Sequence, residues 1–428
     1  MNEAKMMTRR LYSLCLLLVI IAGLLTTVVV FAPGYMSPDS VDQLAQGRSG
    51  RYGDWFPPVM SWLWGRLDRA VPGPLGMLVF HNLLFWSGLG LWVALVAPRW
   101  NLIVKCLLLL VIGFFPPIFL LLSTIWKDVG MAAAFLLASA LLLHAERRRS
   151  LASLVLSLPV LWYGVAVRHN AAIAALPLTI YAGFIGLTLL APRPARTNGR
   201  RTAAIVISGL GLLMLMLVLN GIVSRHLTRN ISSFPIQQIL VHDVVAISIG
   251  TTTVLLPDYL KSGSQQPSVG DLEKIYTPDG VVSLFCCDNT VMRLKLTKDP
   301  GRISSLERVW ADAVLSHLGI YVAHRLRVFE SQFGIGRPSV CYPYHRGIVP
   351  NNLGISYQEK PVASEVFARI SKVQDGLLFR GWLYVVVNAI LLTGAILGRS
   401  RLALNRSAIL AVSASALIYG LGYVVTST

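Results

Sequence analysis

The chain has 428 residues, of which 54% are hydrophobic and only 14% charged, with a formal net charge of +18. Soluble domains carry about 25% charged residues, and several runs here are about 20 apolar residues long, enough to span a bilayer as helices. This composition excludes an ordinary soluble enzyme. The placement of the positive charge argues against a nucleic-acid binder.

The hydropathy pattern predicts an all-α polytopic membrane protein with about nine transmembrane helices, near 11–32, 77–97, 104–122, 129–145, 151–167, 171–191, 203–223, 381–398 and 407–426. The first run lacks a small-residue cleavage site and reads as a retained span, with Lys5, Arg9 and Arg10 held in the cytoplasm. With that trio, the cytoplasmic segments and their borders carry fifteen Lys and Arg, such as Arg147, Arg148, Arg149, Arg200 and Arg201, against Glu3 and Glu146 alone. The opposite side is close to neutral: its first loop has four basic and four acidic residues, and its largest has 16 basic and 13 acidic. This asymmetry is the positive-inside bias that sets topology. It predicts a cytoplasmic N-terminus and leaves no nucleic-acid partner to invoke.

Three parts follow. An N-terminal transmembrane module covers 1–223 and includes a first outer loop, 33–76; a large outer domain covers 224–378; a C-terminal transmembrane pair covers 379–428. The outer domain reads as mainly helical, with an amphipathic pattern over Ser305 to Phe333 and turn-rich pieces such as "YPYHRGIVPNN". Cys286, Cys287 and Cys341 fall in it, and an oxidising compartment would allow one bridge from the 286/287 pair to Cys341. Cys15 and Cys106 lie in apolar spans as small buried residues.

The polar clusters gather on the outer side. In "YMSPDSVDQ", Ser37 suits an N-cap and Pro38 a first helical position, which puts Asp39 and Asp42 three apart on one helix face. The bland reading is dipole complementation in a first turn; the functional one is a general base at a fixed, partly desolvated position. "YGDWFPPVMSWLWGRLD" is a second outer element, whose Trp55, Trp62 and Trp64 suit a helix in the headgroup layer. The short outer turns "STIWKDVG" and "AVRHNAA" present Lys127, Asp128, Arg168 and His169. Charges at tight helix–helix turns face a protein-lined, watery space more cheaply than lipid. Lys127 and Arg168 are therefore phosphate-binding candidates, or else snorkelling anchors and simple ion pairs such as Lys127 with Asp128. Arg325 and Arg327 add outer cations, and His317 and His324 read as satisfied polar residues.

Taken in order, these motifs resemble the GT-C superfamily of integral-membrane glycosyltransferases. "GYMSPDSVDQL" is similar to the family's acidic first-loop motif. "DWFPPVMSWLW" is similar to an element that reads His-Pro-Pro or His-His-Pro in many relatives, with Phe56 standing at the histidine's place. "WKD", "RHNAAIAALP" and "HLGIYVAHRLRVF" resemble later outer-turn and outer-loop motifs of bacterial members. The resemblance implies a GT-C-like fold in a bacterial plasma membrane with a periplasmic active site. It implies transfer, with inversion, of a sugar from a polyprenyl-phosphate donor to a glycan, glycolipid or protein acceptor. It casts Asp39 or Asp42 as the catalytic base and Lys127, Arg168 and Arg325 as donor-phosphate ligands. Asp54, Trp55, Asp128 and His169 become substrate-pocket candidates. Some relatives use a divalent metal and others do not, and no residue here is assigned to one. An outer-leaflet glycan polymerase or ligase, a lipid or solute transporter and a scaffold are the competing classes. A transporter is expected to bury charges near the midplane of its spans, and these spans are nearly charge-free.

Overall fold

In a computed structural model, residues 2–96, 100–190, 199–260, 267–285, 293–336, 344–398 and 405–426 are described here, the first nine without side chains. The cysteines of the proposed bridge, Cys286, Cys287 and Cys341, lie outside them. The described residues are helical, with two isolated bridges and no strand. In chain order the helices are α1 (Asn2–Phe31), α2 (Pro38–Ser49), α3 (Pro58–Ala70), α4 (Leu75–Val96), α5 (Leu102–Gly113), α6 (Pro116–Leu121), α7 (Lys127–Arg148), α8 (Leu151–Ala166) and α9 (Ala171–Leu190). They continue with α10 (Gly199–Thr228), α11 (Gln237–Gly250), α12 (Val269–Ile275), α13 (Val282–Phe285), α14 (Pro300–Ser316), α15 (Leu318–Phe333), α16 (Pro361–Ser371), α17 (Gly381–Ile396) and α18 (Arg406–Thr426).

Among the described residues six helices are long and apolar enough to cross a membrane: α1 from Leu11, α4, α7, α9, α10 and α18. The chain is thus a multi-pass helical membrane protein by length and composition. Of the other expected spans, 151–167 and 381–398 are the 16-residue apolar helices α8 and α17. The expected continuous span at 104–122 is broken. Pro116 disfavours a helical Phe115, which sits extended at φ −59°, ψ 124°, so α5 stops and α6 restarts. The amphipathic run over 305–333 likewise divides at His317 (φ −132°, ψ 43°) into α14 and α15.

The bundle core has two parts. One joins α1, α2, α3, α4, α7 and α8 through residues such as Leu44, Trp64, Leu78, Trp86 and Ile125. The other joins α7, α8, α9 and α18 through Leu142, Leu161, Leu178 and Ala411. Trp64, read from sequence as an interfacial residue, is fully buried and donates from Nε1 to the Gly73 carbonyl, whereas Trp62 is exposed beneath the Arg66 guanidinium.

Small residues set the close approaches. Gly47 of α2 and Gly65 of α3 let the two backbones touch: a Cβ on Gly65 would lie 2.3 Å from the Gly47 carbonyl oxygen. Arg48 clamps the same pair by a two-pronged ion pair to Asp68, at 2.9 Å on each side, and donates to the Leu353 carbonyl at 2.8 Å.

The long segment after α10 has a core of its own. Leu240, Val244, Leu260, Leu272 and Leu306 pack around α11, which is buried over most of its length. The later stretch from Tyr344 through α16 instead packs down on the bundle, where Phe367 meets Phe31, Tyr35 and Phe119. Lys360 fastens it by donating to the Val29 carbonyl at 2.8 Å.

Candidate functional site

The residues that begin α2 and α7 are held in register by backbone hydrogen bonds. Tyr35 N–H donates to the Ser123 carbonyl at 2.9 Å, and Ile125 N–H donates back to Tyr35 at 3.0 Å. On the other side of the same extended segment, Met36 N–H donates to Gly347 at 3.0 Å and Val349 N–H to Met36 at 3.1 Å. Tyr35 is thereby bridged in parallel to Thr124, and Met36 to Ile348. Asp39 follows this bridge by four residues and Lys127 by three, so the two helices start side by side. Side chains add to the lock. Ser40 Oγ donates to the Ile125 carbonyl at 2.8 Å, and Trp126 Nε1 donates to Ser37 Oγ at 3.0 Å. Ser37 sits in the N-cap position with extended backbone but makes no side-chain cap, its hydroxyl being engaged by Trp126.

The two expected bases part company. Asp39 Oδ2 pairs with Lys127 Nζ at 3.1 Å, while Asp42 is exposed and accepts from Gln46 Nε2 of its own helix at 2.7 Å. The Lys127 side chain is 17% exposed and that of Asp39 is 51% exposed. The Lys127 ammonium also lies 4.2 Å from the centre of the Phe56 ring. A cation over an aromatic face is attracted by the ring quadrupole. Phe56, at the position where the resembling motifs carry histidine, thus has a definite partner.

The simple ion pair entertained from sequence, Lys127 with its neighbour Asp128, is not the one formed. Asp128 pairs with Arg168 across the bundle. Arg168 is further fixed by donating from Nε to Asn170 Oδ1 and from Nη2 to the Tyr423 hydroxyl, each at 2.8 Å. Tyr419, one turn earlier on α18, donates to Asp128 at 3.3 Å and lies 3.0 Å from the Tyr423 hydroxyl. The result is two adjacent pairs, Asp39–Lys127 and Asp128–Arg168, at the start of α7, with α2, the α8–α9 turn and α18 contributing the rest.

His169 and Asp54 form the flank. His169 Nε2 lies 3.1 Å from the Asp54 carbonyl, a contact in which that nitrogen carries the proton. Burial holds the His169 imidazole below its ordinary range, and Lys127 adds to the shift, against the opposing pull of the Asp54 and Trp55 carbonyls. The Asp54 carboxylate accepts from Ser232 Oγ at 2.8 Å and from Ser233 N–H at 2.6 Å. It ties the first loop to the chain leaving α10. Trp55 is half-buried beside it.

Arg325 is not brought to this cluster. It is buried in the segment around α11, where Nη2 donates to Asp243 Oδ2 at 2.6 Å. Asp243 also accepts from Trp310 Nε1 at 2.8 Å and faces His324 Nε2 at 3.1 Å, and His324 Nδ1 lies 2.8 Å from the Tyr276 hydroxyl. The "HRLRVF" stretch therefore supplies a buried internal network. His324 is bonded there through Nδ1 to Tyr276, and Arg325, expected as a phosphate ligand, is paired with Asp243 away from the Lys127–Arg168 cluster. Arg327 is exposed.

Sequence reasoning missed Tyr419, Tyr423 and Asn170. The signal was present: two tyrosines at i, i+4 in "IYGLGYVVT", a polar stripe in an otherwise apolar final span. As for a metal, no three His, Cys, Asp or Glu group together among the described residues, and the site carboxylates are engaged by Lys127, Arg168, Ser232 and Ser233. This donor set does not make a ready metal centre.

What the arrangement can do follows from its charges. Two cations held at one helix start, each neutralised by a carboxylate, suit an anion that enters and exchanges for one of those carboxylates. The released carboxylate is then available to a proton. Comparison with known proteins returns no significant match, whether with family models, curated proteins or solved structures.

Proposed function

We propose that this chain is a membrane glycosyltransferase of GT-C type that moves a sugar from a polyprenyl-phosphate carrier to a hydroxyl acceptor at the outer membrane boundary. The observation that carries the reading is the pairing of Asp39 with Lys127 beside Asp128–Arg168, at the start of an otherwise apolar helix.

The chemistry follows from the groups in place. The donor phosphate competes for Lys127 and Arg168 and draws Lys127 off Asp39. Once Lys127 has left, the Asp39 oxygen that it occupied is open to the acceptor hydroxyl. Asp39 then accepts the acceptor's hydroxyl proton as the acceptor oxygen bonds to the sugar's anomeric carbon. The bond from that carbon to the phosphate oxygen breaks, and its electron pair leaves with the carrier phosphate. The two cations stabilise the charge that develops there. Attack opposite the leaving group inverts the anomeric centre. Asp42, exposed and turned to Gln46, is the lesser candidate for base.

The test compares surface glycans and glycolipids by mass spectrometry in a strain lacking the protein, one with it restored, and one carrying Asp39→Asn. Loss of one discrete sugar mass, restored by the wild type and not by Asp39→Asn, is the expected result. General-base catalysis contributes about 10²–10⁴-fold, so residual transfer in Asp39→Asn should fall in that range. A loss of chain length in place of a sugar would move the assignment to a polymerase or ligase, and full activity in both Asp39→Asn and Asp42→Asn would end the general-base mechanism.

A further inference from the structure

α14 and α15 are consecutive amphipathic helices with opposite exteriors. The outward positions of α14 are polar: Arg302, Glu307, Arg308 and Asp312. From the last turn of α14 into α15 an exposed apolar row takes over, with Leu315 80% exposed, Leu318 59%, Val322 46% and Leu326 50%. Phe329 continues the row and stacks on Phe333 with ring centres 4.3 Å apart. Positions 318, 322, 326, 329 and 333 fall within one stripe of the helix at 3.6 residues per turn. The face of α15 next to this stripe is the one that packs inward, through His324, Arg325 and Val328. An apolar face of this extent on a folded chain marks an interaction surface.

Its position says what covers it. Phe333, at the end of the stripe, packs within 6.3 Å of the Tyr423 ring and close to Gly420, in the final turns of the span α18. A Cβ on Gly381, the first residue of α17, would lie 2.9 Å from the Phe333 ring. The stripe therefore starts where α17 and α18 meet the membrane surface. Exposed apolar residues also precede and follow that join in sequence: Leu377 and Leu378 before it, and Val386, Val387 and Ile390 of α17 after it. Arg380 sits at the join, donating to the Gly334 carbonyl, and its positive charge suits anionic headgroups, while Glu330 and Arg327 are exposed farther round α15, away from the stripe.

We propose that α15 is an in-plane membrane helix, its Leu318–Val322–Leu326–Phe329 stripe seated in the lipid headgroup–acyl boundary as a continuation of the lipid-facing surface of α17. A 16-residue helix is about 24 Å long. With one end fixed at the start of a span, its whole stripe reaches lipid only if the helix lies along the surface. The outer segment then rests on the bilayer through α15, while the polar exterior of α14 stays in water.

The test needs no knowledge of activity and no variant. The full chain is reconstituted in phosphatidylethanolamine/phosphatidylglycerol vesicles doped with a phosphatidylcholine carrying a diazirine in its acyl chain, irradiated, digested and mapped by mass spectrometry. The lipid-facing residues Met214 and Val218 of α10 serve as internal positives. Labels on Leu318, Val322 and Leu326 at a level within about threefold of those positives, with none on Glu307 or Asp312, are expected. Labelled α10 with unlabelled α15 overturns the proposal. A water-soluble carbene that marks the α15 stripe as strongly as α14 would do the same, as would crosslinks from α15 to a second copy of the chain.

Discussion

The placement of Asp39 depends on the backbone contact between α2 and α3, and Gly65→Ala tests it. A Cβ at position 65 would lie 2.3 Å from the carbonyl oxygen of Gly47, 2.7 Å from its carbonyl carbon and 2.9 Å from its Cα. All three are backbone atoms, so no side chain can rotate away. Restoring an ordinary contact of about 3.4 Å requires α2 and α3 to part by about 1 Å, and packed interiors do not stretch by that amount without losing contacts. Leu44 and Trp64, both fully buried, lie in the core that would open. Overpacking of this kind costs about 1–3 kcal/mol. Asp39 is eight residues from Gly47, about 12 Å along the helix, and its end of α2 is pinned by the Tyr35 and Met36 hydrogen bonds. The displacement therefore becomes a tilt about that pin. Thermal unfolding of the detergent-solubilised protein should show Gly65→Ala several degrees below wild type. Gly186→Ala is the control: its new Cβ would meet only Leu154 Cδ2 at 3.8 Å, an ordinary contact in a helix interior, where alanine is favoured over glycine by about 0.5–1 kcal/mol. If Gly65→Ala unfolded no earlier than Gly186→Ala, α2 would not rest on α3 by backbone contact, and the geometry assigned to Asp39 would fail with it.

The two buried or part-buried cations should respond differently to mutation. Asp243→Asn leaves Arg325 and His324 buried without their carboxylate and should cost about 3–5 kcal/mol. Lys127→Ala leaves a half-exposed Asp39 that water can solvate, and should cost about 1 kcal/mol or less while abolishing retention of the donor; denaturation midpoints of the pair, in the same detergent, compare the two. Acid should loosen the segment around α11. Burial foremost, with His324 beside it, pushes the His242 imidazole down to about 4. A histidine lowered on folding supports stability above its unfolded value of about 6.5 and withdraws that support as pH falls toward about 4, here by about 3 kcal/mol. Hydrogen exchange at pH 7 and pH 5 should show faster opening of Gln237–Gly250 at pH 5, and equal protection at both would refute the assignment. Asp68 runs the other way: burial raises its carboxyl, but hydrogen bonds from Arg48 and the Gly73 N–H outweigh that and hold it below the usual range. Its contribution, about 1 kcal/mol for a partly exposed pair, is present above the unfolded value of about 3.9 and lost as pH falls through the lower folded value, and Arg48→Ala should remove this acid dependence.

Residue periodicity carried most of the architecture, because a run of about 20 apolar residues admits few conformations in a bilayer. It failed where a local rule overrode the run. The "FFPP" stretch is apolar enough to cross, but a proline constrains the residue before it, and α5 ends there. Burial of Trp64 was invisible for a different reason. The aromatic content of "SWLWG" suits the headgroup layer equally well, and only the Gly47–Gly65 approach decides that one face of α3 is sealed against α2.

The site was legible in its members more than in its pairings. Lys127, Asp128, Arg168 and His169 stood out because charge is costly at tight turns between apolar helices, Asp39 by its place at a helix start, and Asp54 through the family resemblance. Which carboxylate meets which cation is set by tertiary register, and no spacing encodes that. Adjacent in sequence, Lys127 and Asp128 leave the helix start about 100° apart, since α-helical residues turn by one part in 3.6. One therefore faces α2 and the other α18. That divergence is what lets a single "KD" step serve two elements at once. It places a cation from α7 against the carboxylate of α2, and a carboxylate from α7 against the cation of the α8–α9 turn. A phosphate seated between Lys127 and Arg168 would disturb both pairs together. Binding of an anionic headgroup would then be felt at α2 through Asp39 and at α18 through Tyr419 and Tyr423, with α7 as the common axis.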